Sequence, residues 1–110
     1  MKGSELIQRY KAGERDFTGA NLRGASLQAA RLKGAVLKWT NLYAANLYGA
    51  DLSGAKLDGA SLSEAELRHA DLSAASLEDA DLSGASVTEK QLAQTASLKQ
   101  ATMPDGTRYE

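Results

Sequence analysis

The sequence predicts a β-solenoid, a chain that coils about a dry axis and turns a corner in every five residues. Three observations carry this. Leucine returns every five residues from Leu22 to Leu82, with Phe17 before the series and Val87 after it. Alanine stands two residues before each of these positions up to Ala85, and only Arg15 and Thr40 depart from that layer. Glycine is frequent two residues after the leucine, as at Gly24, Gly54 and Gly84. A fixed internal period decides architecture ahead of local propensity.

A period of five suits neither regular element. Five residues of α-helix turn through about 500°, so successive leucines would step by about 140° and form no stripe to bury. In a continuous strand, side chains alternate between faces, and Leu22 and Leu27 would point opposite ways. One bend per unit removes the conflict. Ala20 and Leu22 then both face inward, and the two residues after the leucine make the corner, where glycine tolerates tight geometry.

The units Ala-Asn-Leu-Arg-Gly (20–24), Ala-Asn-Leu-Tyr-Gly (45–49) and Ala-Asp-Leu-Ser-Gly (50–54 and 80–84) resemble the pentapeptide repeat family. The resemblance spans residues 15–89. It implies an all-β fold, a right-handed quadrilateral parallel β-helix with four pentapeptides per coil. Fifteen units then give just under four coils, a tower about 18 Å tall at the usual strand spacing. The chain reads as one domain: an N-terminal cap over 1–14, repeats over 15–89, and a closing segment over 90–110.

Solenoid ends need covers, because open coils expose unpaired backbone groups. Residues 4–13 read as a short helix with Ser4 as N-cap, Leu6, Ile7 and Tyr10 on one face, and Gly13 ending it. The stretch Ala12–Phe17 resembles the lead-in that often opens such repeats. Near the other end, Thr88 and Gln91 have capping-box spacing and predict a helix over about 89–95. Ala96 lies eleven residues after Ala85, one more than two whole units, so the repeat resumes out of phase at Ala96-Ser-Leu98 and Ala101-Thr-Met103. Pro104-Asp-Gly106 is a turn signal. With both ends capped, the chain is expected to be a complete unit.

The formal net charge of −1 hides an asymmetry. Residues 1–40 hold eight Lys/Arg against three Asp/Glu, and residues 41–110 hold five against eleven. Sequence position maps onto height in a solenoid, so the tower is expected to be basic in its first coils and acidic in its last. There is no cysteine, hence no disulfide, and no apolar run suggests a secretory signal or a membrane span. A cytoplasmic protein is expected, a monomer or weak dimer.

Residues twenty apart should stack on one wall. Asn21 over Asn41 suits a side-chain ladder. Asp51 over Asp71 places like charges together, but two carboxylates without further converging ligands make a poor calcium site, and no metal is expected. Trp39, Tyr43 and Tyr48 occupy turn or outward positions within ten residues and should sit around three neighbouring walls. Each either lies over a neighbouring coil (Trp39 beside Gly19 or Gly59, Tyr43 beside Arg23 or Ser63) or serves a binding surface. Trp39, Tyr43, Tyr48, Asp51 and Asp71 form the candidate interaction surface. Thr40, beside Trp39, is expected to mark a local bulge.

No catalytic arrangement surrounds the single histidine, His69, and no phosphate-cradling or dinucleotide loop interrupts the repeat. No catalytic residue, cofactor or enzymatic activity is expected. The reading is a non-enzymatic structural or protein-interaction module with an unknown protein partner. The alternative is DNA mimicry: some members of the family bind DNA gyrase, and residues 51–81 hold eight acidic residues against Lys56 and Arg68. The basic early coils and the lack of an apolar C-terminal dimerisation helix weigh against it. Nucleic-acid binding through Arg23, Arg31, Lys33 and Lys38, with Trp39 stacking on a base, ranks last, because those cations fall on different faces and the acidic half repels a polyanion.

Overall fold

The computed structural model describes residues 1–110. Its dominant pattern is a ladder of parallel bridges between residues twenty apart, from Asp16 with Val36 to Glu66 with Ser86. One circuit of the chain therefore takes four five-residue units. Each bridge is isolated, one residue long, and no extended strand forms. A corner every five residues leaves each unit a single residue free to pair, which is why an all-β sequence pattern yields so little formal strand.

The leucines turn inward. Leu22 through Leu82 are all buried, most completely, and Phe17 closes the column at the first coil. The alanine layer from Ala25 to Ala85 is buried beside them. Burying each leucine contributes about 1.5–3 kcal/mol, and alanine between them lets successive walls approach. Thr40 takes its place in this layer without a bulge: Asn41 keeps its bridges to Asn21 and Ser61. The Thr40 hydroxyl donates to the Leu37 carbonyl at 2.8 Å, so its one polar group is satisfied and the residue is 2% exposed.

The backbone network follows the same register. Leu22 N–H donates to the Asn41 carbonyl, Asn41 N–H to Ala20, and Gly24 N–H to Tyr43. Inside each unit, as from Ala25 N–H to the Leu22 carbonyl at 3.0 Å, a bond closes the corner. The third residue of that corner has positive φ, the pattern of a type II turn. Glycine is not required there: Ala29, Trp39, Ala44, Glu64, His69, Ala74 and Asp79 all adopt φ between 56° and 63°. Two of the glycines have a second reason. A Cβ at Gly59 would collide with the Trp39 indole, and one at Gly84 with the Glu64 carboxylate.

Helix α1, Gly3–Lys11, covers the first coil. Leu6 is buried, and Ile7 and Tyr10 pack against the core as the spacing predicts. The helix starts one residue before the expected cap: Lys2 holds the N-cap position without a side-chain bond, and Ser4 lies inside. Docking overrides capping here. Gly3 lies so close to the Ser26 carbonyl that any Cβ would collide with it. At the other end, Gly13 has φ 103° and donates to Tyr10, while Glu14 donates to Arg9, a Schellman arrangement.

Helix α2, Glu89–Ala93, begins with the expected capping box between Thr88 and Gln91. It is shorter than the expected 89–95. The Gln91 side chain also donates to the Leu67 and Ala70 carbonyls at 2.7 and 3.0 Å, which seals the last coil. Beyond α2, Ser76 pairs with Ser97 and Asp81 with Thr102, twenty-one residues apart, so the repeat resumes one residue out of phase as expected. Gly106 N–H donates to Met103, and Arg108 then pairs antiparallel with Thr102.

The inside/outside division predicts opposite outcomes at adjacent positions. Replacing Leu52 with Arg abolishes the cooperative thermal transition, because an unpaired charge has no solvated position inside the coil. Replacing Ser53 with Arg shifts the midpoint by only a few degrees, through loss of one hydroxyl bond to Asp51. Circular-dichroism melts of the two variants check this.

Candidate functional site

Four walls follow from the twenty-residue register. Trp39 stacks in a column with Gly19, Gly59 and Asp79; Tyr43 lies on the next wall, Tyr48 on the third, and Asp51 and Asp71 on the fourth. The five candidate interaction residues are thus distributed around the tower and do not converge on one face.

The three aromatic residues differ in their surroundings. Trp39 lies over Gly59 and is 64% exposed. Tyr43 is half-buried, with the Arg23 guanidinium 4.5 Å over its ring. Tyr48 is exposed and meets His69 of the next coil edge-on, ring centres 5.1 Å apart. Each lies against the adjacent coil, but only the indole offers a broad apolar face to solvent.

Where the residue before the leucine is Asn or Asp, it has a local task. Asn41 Oδ1 accepts the Tyr43 N–H, Asn46 Oδ1 the Tyr48 N–H, and Asp51 and Asp81 those of Ser53 and Ser83. Asn and Asp recur at this position because a short side chain with an sp² oxygen reaches the backbone two residues on. Asn21 therefore bonds Arg23 N–H at 3.2 Å and makes no side-chain ladder with Asn41. Where Ser76 replaces the acceptor, Asp58 of the preceding coil accepts from both the Ser76 hydroxyl and the Glu78 N–H. Asp51 and Asp71 bond Ser53 and Ser73, so both are turn acceptors.

These bonds set the acidic groups' titration. Hydrogen bonds from Thr18, Ser73 and Thr107 hold the Asp16, Asp71 and Asp105 carboxyls below the usual aspartate value, with Lys33 adding to the effect at Asp71. Arg68 does the same for Glu66, and that pairing raises Arg68.

Arg15, the first departure from the alanine layer, does not enter the core. With no coil below it, it reaches back so that its guanidinium lies 3.6 Å over the Tyr10 ring, and it donates to the Tyr10 and Glu14 carbonyls. Sequence reading missed this junction between α1 and the first coil. An arginine where alanine was due was the available signal.

Models of pentapeptide repeats match in eight copies over residues 16–47 and 45–84. The chain belongs to the pentapeptide repeat family. Among solved members, it is 38% identical to HetL, a pentapeptide repeat protein involved in heterocyst differentiation regulation from the cyanobacterium Nostoc, with a TM-score of 0.80 over 86% of this chain and 43% of that one. It is 34% identical to Rfr23 from the cyanobacterium Cyanothece, with a TM-score of 0.66 over 86% of this chain and 60% of that one. An Arabidopsis thaliana pentapeptide repeat protein of the thylakoid lumen is 27% identical, with a TM-score of 0.54 over 84% of this chain and 65% of that one. The chain spans about 43–65% of the length of these pentapeptide repeat proteins. No curated protein matches its sequence. No helix is long and apolar enough to cross a membrane.

The turn carboxylates give this pentapeptide repeat an acid limit. A carboxyl with a depressed folded-state pKa contributes stability that is complete above the unfolded value and lost as pH falls through the folded one. The melting midpoint is expected to hold level above about pH 5 and to drop as pH falls below the ordinary value of 3.8. Asp71→Asn keeps an acceptor for the Ser73 N–H, so the fold survives and the acid slope becomes shallower, measured as midpoint against pH.

Proposed function

We propose that residues 15–89 wind just under four coils of a right-handed quadrilateral β-helix that acts as a rigid, non-enzymatic platform for a protein partner. The observation that carries this reading is Trp39. Tryptophan at 64% exposure, supported beneath by a neighbouring coil, is a preordered apolar anchor, and such residues dominate binding energy where they seat in a partner's pocket. A wall whose backbone is bonded coil to coil loses little conformational freedom on association, which lowers the entropy opposing binding. The involvement of HetL in regulating differentiation supports a partner-binding role for the shared repeat.

The gyrase-mimic alternative draws on the eight acidic residues of 51–81. The register divides them among four walls, with Asp58, Glu78 and Asp79 on one, Glu64 and Asp81 on the next, Glu66 on the third, and Asp51 and Asp71 on the fourth. That dispersal favours the platform reading over a duplex-like charged face.

Trp39→Ala tests it. Alanine already occupies the same left-handed position at Ala29, Ala44 and Ala74, so the melting midpoint stays close to wild type. Partner affinity, measured by titration against a captured and then purified protein, falls at least about thirtyfold, the loss of a hot-spot side chain. The chain's single tryptophan also reports directly, its emission moving to shorter wavelength on binding. Unchanged affinity in Trp39→Ala overturns the assignment.

A further inference from the structure

We infer that the hollow between α1 and the first coil binds a small organic oxyanion, one with a phosphate or dicarboxylate head and an apolar body. The hollow has a volume of about 520 Å³, within the usual range for small-molecule sites. Ile7, Tyr10, Ala29 and Ala30 give it apolar lining, and three cations line it with them: Lys11, Arg15 and Arg31. No carboxylate lines it.

None of these cations makes an ion pair, and the nearest stacked carboxylate, Asp51 one coil from Arg31, accepts from Ser53. The ion pairs of the protein are Arg9 with Glu5 and Arg68 with Glu66, both elsewhere. Arg15 is also preorganised. Stacking on Tyr10 and two bonds from one Nη to the Tyr10 and Glu14 carbonyls fix its plane, while its other N–H groups have no protein acceptor. Tyr10 is itself held by its hydroxyl, which donates to the Lys33 carbonyl at 2.6 Å. A fixed, planar guanidinium suits a two-oxygen anionic head. Carbonyls at the end of α1 would repel an anion, but those of Gln8, Arg9 and Tyr10 already accept bonds from Ala12, Gly13, Glu14 and Arg15. Three cations beside apolar lining residues therefore select for charge and for an apolar body together. Trp39 does not line the hollow, which is bordered by wall residues Gln28 to Arg31 and meets Trp39's wall only at Arg15, so this inference stands apart from the platform reading.

Titration of the full chain with phenyl phosphate, phthalate, inorganic phosphate and benzyl alcohol, followed by amide resonances, tests it. Phenyl phosphate or phthalate is expected to saturate shifts at Ala29 and Ala30 at least about tenfold more tightly than inorganic phosphate, and benzyl alcohol to leave them unmoved. The tighter of the two organic anions identifies the head group. Arg31→Gln and Lys11→Gln, neither of which loses a protein hydrogen bond, each weaken binding by about tenfold, and Lys90→Gln at the far end does not. Organic anions that bind no better than inorganic phosphate, or equal loss in Lys90→Gln, overturn the inference.

Discussion

From Leu22 to Leu67 each leucine N–H of the repeat donates to the carbonyl nineteen residues on, and the twenty-residue register of the same coils stacks leucine on leucine. Hydrophobic column and backbone ladder thus share one register, and neither can shift without the other. A slip of one residue would send leucines to the wall surface and break every coil-to-coil bond at once. Of the 72 backbone hydrogen bonds, only six lie within helices, so cohesion comes from coil on coil. Such a structure is quasi-one-dimensional, each coil stabilised by its immediate neighbours, and the end covers matter because a terminal coil has one neighbour fewer.

That shared register explains how freely the outer positions vary. Inward alanine and leucine carry packing, and the residue before the leucine supplies the turn acceptor. At Ser76, where that acceptor is missing, the neighbouring coil provides one through Asp58. The remaining turn positions face solvent and take charge, aromatic or glycine without disturbing the core. Trp39 and Gly59 show the remaining constraint, since a large side chain on one coil needs a small residue on the next.

The inner fold was legible because it is periodic. Leucine and alanine spacing gave the core, the Thr88–Gln91 spacing gave α2, and the eleven-residue step to Ala96 gave the slip of register later seen between Ser76 and Ser97. What escaped depended on contacts that the repeat spacing does not state. Gly3 begins a helix because the Ser26 carbonyl is against it, and no local signal states that distance. Thr40 read as a defect, yet its hydroxyl folds onto the Leu37 carbonyl and fits the alanine layer. Asn21 over Asn41 suggested a ladder, but a bond two residues away along the chain forms more readily than one to the next coil. The aromatic residues fall on three neighbouring walls as the register implies, but their different surroundings, Gly59 beneath Trp39, Arg23 over Tyr43 and His69 beside Tyr48, depend on which residue stands one coil away.

Flat walls and concave ends divide the chemistry of this tower. A wall of stacked corners has no depth, so it recognises partners through single protruding groups such as Trp39. Depth arises where a helix leaves the coil. The larger hollows lie beside α1 or around α2, and that around α2 is lined by Leu92, Leu98, Met103 and Tyr109. The two ends differ in kind because the charge differs along the chain. Residues 1–40 have a surplus of five positive charges, and Lys11, Arg15 and Arg31 bring part of it to the α1 hollow. The α2 end has Glu89, Asp105 and Glu110 in balance with Lys90, Lys99 and Arg108, and its hollow is chiefly apolar. A solenoid that spaces its charge unevenly thereby gives its two caps different ligand chemistry while its core stays the same from coil to coil.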